Sequence, residues 1–290
     1  MIPQLKAEFK KLLSVRSTLI VSLLIIFLTL LFTYLNTSKV YDEALDHPAP
    51  SQSTEERSGA PGASDKNQQQ NQVVQQPKLT NNLPANKVLL NLQDSLYPTS
   101  LLITIVVILL MAHEFRYNTI TYTLTSSNSR TRVLVAKIIV GTIYATIMTI
   151  IAISATVAAT YFAINIRGLN LPQQNIDWIY IGGRLVGYSL GFALLGLAAI
   201  TLLRNQVAGI VAVFLLPTLD AIGAGILTSK SIEPAKYLPF SALTKFGNIV
   251  DNGSDSVSTT SITRAGIVFV IYLVVVWLVT WYLFLKRDAT

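Results

Sequence analysis

The sequence contains no cysteine, so it can form no disulfide, thiolate nucleophile or cysteine-ligated metal site on either side of a membrane. Charge is scarce as well. Asp, Glu, Lys and Arg make up 13% of the 290 residues, whereas a water-facing domain carries about 25%. Histidine occurs twice, at His47 and His113, and no His-x-x-x-His pair or acidic cluster interrupts the apolar stretches. A metalloprotease or a carboxylate-based hydrolase within the membrane is therefore unsupported, and no enzyme activity is expected. Also missing is the Gly-x-x-x-x-Gly-Lys-Ser/Thr cradle that converges backbone amides and a metal ligand on nucleotide phosphates, so the chain is not itself an ATP-driven motor.

What is present is apolar sequence in long uncharged runs. A helix needs roughly 20 such residues to cross ~30 Å of hydrocarbon, because only hydrogen bonds within the segment can satisfy its backbone there. Five runs meet that length, about Thr18 to Leu35, Val135 to Ile164, Ile179 to Leu203, Val207 to Leu227 and Ala265 to Leu285. A sixth, Leu96 to Ala112, is short, but counting it restores a consistent alternation of sides. The expectation is an all-α integral membrane protein of six transmembrane helices. The boundaries place spans at 17–36, 96–113, 134–164, 179–203, 207–228 and 265–285. The first span is read as uncleaved, because Tyr34 to Ser38 lacks a small-x-small cleavage site.

Basic residues orient the bundle. With the N-terminus inside, the inner segments hold eleven basic residues against Glu8, Glu114 and Asp288, a balance of +8, and the outer segments come to about −1. Both termini are expected in the cytoplasm. The overall charge of +7 then suits anionic headgroups and topology, not nucleic acid.

Between the spans, 37–95 is a Ser-, Gln-, Asn- and Pro-rich extracytoplasmic loop that cannot bury enough apolar surface to fold alone, except for a short surface helix over Leu79 to Leu92. Residues 1–16 form an amphipathic interfacial helix. Leu5, Phe9, Leu12 and Leu13 make its stripe, with Lys6, Glu8, Lys10 and Lys11 mostly off it. Gly183, Gly187 and Gly191 recur every fourth residue as a packing seam whose neighbour, in this chain or a second copy, spacing does not identify. Asp220 follows Pro217 within the fifth span. Either it faces a substrate or ion pathway, or it sits near the outer interface, hydrated or bonded to backbone freed by the proline; the second reading is favoured. The outer segment 229–264 contains an apolar part, Tyr237 to Leu243, suited to dipping back into the membrane, and a polar tail, Asn252 to Thr263. Outer loop 165–178, inner turn 204–206 and tail 286–290 complete the chain.

The inner loop 114–133 carries the functional signal. It runs His113-Glu114-Phe115-Arg116-Tyr117-Asn118-Thr119-Ile120, then Ser129-Arg130, Arg132 and, opening the third span, Lys137. Both signs of charge are offered to a soluble partner. The sequence here resembles the membrane permeases of type-2 ABC exporters, which show a Glu, an Arg and a Thr at this spacing after the second span, then a Ser-Arg pair and a Lys. The likeness extends over nearly the whole chain, including the lead-in helix and Tyr237-Leu238-Pro239. It departs at Asn118, where many relatives have Gly, and at Ser127-Asn128, where a Pro often precedes the Ser-Arg pair.

The resemblance implies that Glu114, Arg116, Thr119, Arg130, Arg132 and Lys137 belong to a cytoplasmic coupling helix that docks on a separate ATPase subunit. It further implies an exporter permease of a bacterial plasma membrane, paired with an identical copy or another permease, and membrane lipids are expected as its surroundings. ATP and Mg would be held by the partner, with no cofactor in this chain. The competing expectation is a non-transporting membrane scaffold or sensor with a disordered outer loop.

Overall fold

In the computed structural model the described residues are 2–14, 16–46, 85–125, 129–166, 176–230, 238–250 and 262–286. They form nine helices: α1 (Ile2–Ser14), α2 (Arg16–Asp46), α3 (Ala85–Arg116), α4 (Ile120–Thr125), α5 (Arg130–Ile166), α6 (Trp178–Leu203), α7 (Gln206–Ser229), α8 (Pro239–Gly247) and α9 (Ile262–Lys286). Most of the low-complexity loop, Ser127-Asn128, Tyr237, most of the polar tail after it and 287–290 lie outside the described residues. Six helices, α2, α3, α5, α6, α7 and α9, are long and apolar enough to cross a membrane. The protein is an all-α, multi-pass membrane protein.

Burial separates a centre from a periphery. In their most apolar windows α3 and α6 are 61% buried, against 22% for α2 and 17% for α7 and α9. Leu23 and Phe27 of α2, Leu219 and Ile222 of α7, and Leu278 of α9 are all exposed. Such faces belong against lipid tails or another apolar protein surface.

Two helices run past the boundaries set by hydropathy. α2 continues to Asp46, and α3 begins at Ala85 and passes through Pro98, so the surface helix and the short second span are one element. Polar residues of α2 and α3 are buried here in a seam between α2, α3 and α5. Asn91 Nδ2 donates to Thr37 Oγ1 at 2.7 Å and Thr160 Oγ1 at 3.1 Å, and the hydroxyls of Thr29 and Thr99 lie 3.0 Å apart. Interhelical hydrogen bonds of this kind hold helices together where lipid tails remove the hydrophobic drive. Pro98 is tolerated because neighbouring helices and Ser/Thr side chains support a membrane helix around a missing N–H.

Asn118 takes the left-handed conformation, φ 51°. Thr119 N donates to Glu114 O at 3.0 Å and Asn118 N to Phe115 O at 3.4 Å, the paired bonds that close a helix C-terminus around a left-handed residue. Glycine suits that position best and Asn tolerates it, so the departure at Asn118 preserves the turn that leads from α3 into α4.

At the opposite end α8 re-enters the bundle. Its Phe240 ring lies 5.5 Å from that of Phe192, about 21 Å along α6 from Trp178 at 1.5 Å per residue, which is near the middle of that helix. A helix that starts at such depth leaves its first N–H groups without water. Asp220 of α7 supplies the acceptor. Its Oδ1 accepts from Phe240 N at 3.2 Å, and its Oδ2 accepts from Ser241 N at 2.8 Å and Ser241 Oγ at 2.6 Å. Its placement therefore differs from the favoured expectation: Asp220 is buried, and it bonds the start of a different helix, not the backbone freed by Pro217. At the other end Arg184 of α6 donates to Phe246 O at 2.9 Å and to Asn248 O. An anion at the N-terminus and a cation at the C-terminus both oppose the helix dipole.

The glycine seam lies under the same helix. A Cβ at Gly187 would sit 2.8 Å from the Phe246 ring, and one at Gly191 would lie 2.7 Å from Leu243 and 2.8 Å from Phe269, whereas one at Gly183 meets nothing within 4 Å. The neighbour is thus α8 with α9 of the same chain, at two of the three positions. Gly191→Leu is expected to displace α8 at a cost of about 1–3 kcal/mol, the usual range for overpacking, and Gly183→Leu to leave the melting temperature in detergent unchanged. Equal melting temperatures for the two variants would contradict this packing.

Candidate functional site

Three helices converge at the end of the bundle that carries α4. Glu8 and Lys11 come from α1, Glu114 from the last turn of α3, and Lys137 from the second turn of α5. Lys137 is fully buried, with Glu8 and Glu114 almost so. Its Nζ donates to Glu8 Oε2 at 2.9 Å, to Glu114 Oε1 at 2.9 Å and to Leu110 O at 3.3 Å, which uses all three ammonium protons. Lys11 closes the ring, its Nζ lying 3.2 Å from Glu8 Oε1 and 3.0 Å from Glu114 Oε1. Two cations and two anions share one site, and its formal charge is zero.

Local sequence makes this possible. On α1 the inward face is Leu5, Glu8, Phe9 and Leu12, spaced i, i+3, i+4 and i+7, while Leu13 is 49% exposed. Three of the four expected stripe residues therefore pack inward, and Glu8 takes the place expected for Leu13 on the buried face. The signal was available: Glu8 is the one acid of a basic helix, and it falls between two apolar residues of the same face. Because the site lies between apolar helices, an unmatched lysine would be very unfavourable there. The ring is therefore what allows α1 to pack against α3 and α5 at this end.

The other residues of the expected coupling framework face outward. Arg116 and Arg132 are exposed, and Arg116 sits 5.5 Å above the Tyr117 ring. Thr119 is exposed, and its carbonyl accepts from Thr123 N at 3.1 Å at the start of α4. Arg130 donates to Leu285 O at 3.4 Å, joining the start of α5 to the end of α9. Thus Glu114 and Lys137 are structural links inside the bundle, while Arg116, Thr119 and Arg132 are available at its surface. Gly183, Gly187, Gly191 and Asp220 belong to the opposite end and take no part in this site. Sequence reasoning did not single out Lys11 or Arg184 as site residues: the local Glu8–Lys11 pair looks like an ordinary surface pair of one helix, and the partners that place each residue, Glu114 and Phe246, are about 60 or more positions away.

Lys11, which is outside the spans, titrates above the ordinary lysine value of 10.5: burial alone would lower it, but its bonds and charge interactions with Glu114 and Glu8 outweigh that. Its contribution to stability is present below 10.5 and is lost as pH rises through the folded pKa.

Residues 75–290 match the model of a family described as a protein of unknown function (DUF2705), and the chain belongs to that family. The matched region holds Glu114 and Lys137; Glu8 and Lys11 precede it. No curated protein and no solved structure matches the chain.

The ring predicts a sign reversal in a double-mutant cycle. Lys137→Met leaves two buried carboxylates with one lysine and is expected to cost about 3–5 kcal/mol in detergent unfolding. Combining it with Glu8→Leu restores charge balance and is expected to recover most of that loss. Additive losses would contradict a coupled ring.

Proposed function

We propose that this family member is a membrane-spanning permease subunit of an ATP-driven exporter, with the α4 end on the cytoplasmic side of a bacterial plasma membrane. The observation that supports the reading most is a mechanical one. α4 is a short helix on the outside of the bundle, and the helices on either side of it, α3 and α5, are tied to each other and to α1 by the buried ring. Force applied at α4 passes through the Asn118 turn into α3, and Arg130 ties the start of α5 to the end of α9. A soluble subunit docked there would move several helices together.

The docking chemistry follows from exposure. Arg116 stands over the exposed Tyr117 ring, and Arg132 and Tyr122 are exposed on the start of α5 and on α4. A basic, aromatic patch suits a partner with an acidic groove, since opposite charges steer and orient encounter while aromatic rings supply the buried anchor. ATP and Mg would be held by that partner, and the chain would supply the path and its gating. A second permease would cover part of the exposed apolar faces of α2, α7 and α9, and membrane lipids the rest. Asp220 is occupied by α8 in this conformation, so substrate contact with it would require α8 to move.

The test is purification of the chain from cells that co-express its genomic neighbours, with assay for vanadate-sensitive ATP hydrolysis. An ATPase subunit is expected to co-purify and to be lost from a doubly substituted Arg116→Glu, Arg132→Glu variant whose melting temperature is unchanged. A chain that purifies alone and shows no nucleotide-dependent activity would replace this reading with a membrane scaffold or sensor.

A further inference from the structure

The charged ring is not fully satisfied. Glu114 Oε2 is buried and accepts no hydrogen bond, and His113 Nε2 on the preceding residue is likewise buried without a partner. An unmet acceptor on a buried carboxylate is unfavourable unless something fills it. Both residues line a cavity of about 550 Å³ between α1, α3 and α4, within the size range of small-molecule sites. Its walls are of two kinds. Leu12, Val106, Leu109 and Leu110 form an apolar side that extends about 12 Å along α3 from Glu114, at 1.5 Å per residue. Lys11, Tyr117, Tyr122 and Thr123 form a polar mouth at the membrane surface, where aromatic residues sit well.

We infer that this cavity binds a single phospholipid with a primary-ammonium headgroup, taken from the leaflet on the α1 side. Glu114 Oε2 is closed to solvent as the ring stands, so the carboxylate turns toward the cavity to accept from the ammonium, which lies beside His113. Lys11 is half-exposed, and its Nζ makes two bonds within the ring, which leaves one proton for the lipid phosphate. The first part of an acyl chain lies against Leu109 and Leu110. The unmet carboxylate oxygen selects a cation: an anionic headgroup can offer Glu114 Oε2 a neutral hydroxyl at best, and an amine without a phosphate gains nothing from the last Lys11 proton, which faces water. The apolar wall distinguishes a lipid from a soluble amine of the same headgroup chemistry. This inference does not depend on an ATPase partner and goes beyond the exporter reading, since a lipid can be held here whether or not the chain transports.

Native mass spectrometry of the full-length protein in detergent tests it, with phosphatidylethanolamine, phosphatidylglycerol of the same acyl chains, and soluble glycerophosphoethanolamine as probes. One phosphatidylethanolamine is expected to remain bound, about tenfold or more tighter than phosphatidylglycerol, as one charge-assisted hydrogen bond provides. Glycerophosphoethanolamine should not displace it. Glu114→Gln should remove the preference, and His113→Phe, which keeps the ring stack on Tyr117, should reduce it. Because Glu114 also holds the ring, Leu109→Trp serves as a second variant outside it: filling the apolar wall should abolish the adduct with the melting temperature retained. Equal retention of the two lipids, displacement by the soluble headgroup, or an undiminished adduct in Leu109→Trp would each overturn the assignment.

Discussion

A lysine ammonium with no exposed surface inside a bundle of apolar helices is the constraint on which this structure turns. Lys137 has to be matched where it lies, and no single carboxylate uses all three of its protons. The solution takes one acid from α3, one from α1 and a backbone carbonyl from the turn before Glu114. That requirement recruits α1, a helix that would otherwise float on the membrane surface, and fixes how α3 and α5 approach each other next to α4. It also leaves one carboxylate oxygen facing unmet chemistry, so the same interaction that orders this end of the protein opens a place for a ligand.

The opposite end applies the same physics to backbone dipoles. α8 begins near mid-depth, where water cannot serve its first amides, and Asp220 takes that place; Arg184 does the same for its last carbonyls. The glycines of α6 then let the helix lie close enough for these contacts to form. Charge in this protein is sparse, and among the described residues the most deeply buried charges each answer a specific unmet group. That economy explains how a chain with 13% charged residues can still be held together by them.

The six spans and the all-α class were legible because lipid makes backbone satisfaction a matter of run length and composition. Their ends were less so. Asn91 falls in the stretch read as a short surface helix, and only the proximity of Thr37 and Thr160 shows that it belongs to a buried polar seam. Spacing marked Gly187 and Gly191 as a contact line but said nothing of the partner, since α8 is over fifty residues away and apolar in its own right. Glu114 and Lys137 were found by their place in a motif and then assigned outward, because a sequence shows charge and not the direction in which it points. Glu8 was misplaced for a narrower reason: a stripe fitted to Leu5, Phe9, Leu12 and Leu13 follows apolarity alone, whereas the face that packs takes Glu8 in place of Leu13, and that residue is the acid that completes the ring.

The claim that a buried ring pins α1 to the bundle is tested most directly by amide hydrogen exchange on the purified protein in nanodiscs, comparing the natural chain with Lys137→Met. The account predicts that amides of Ile2–Ser14 are protected in the natural chain and exchange much faster in the variant, while α7 is unchanged. Equal exchange of α1 in both proteins would show that it is held by the membrane surface alone, and would contradict the ring as the element that organises this end.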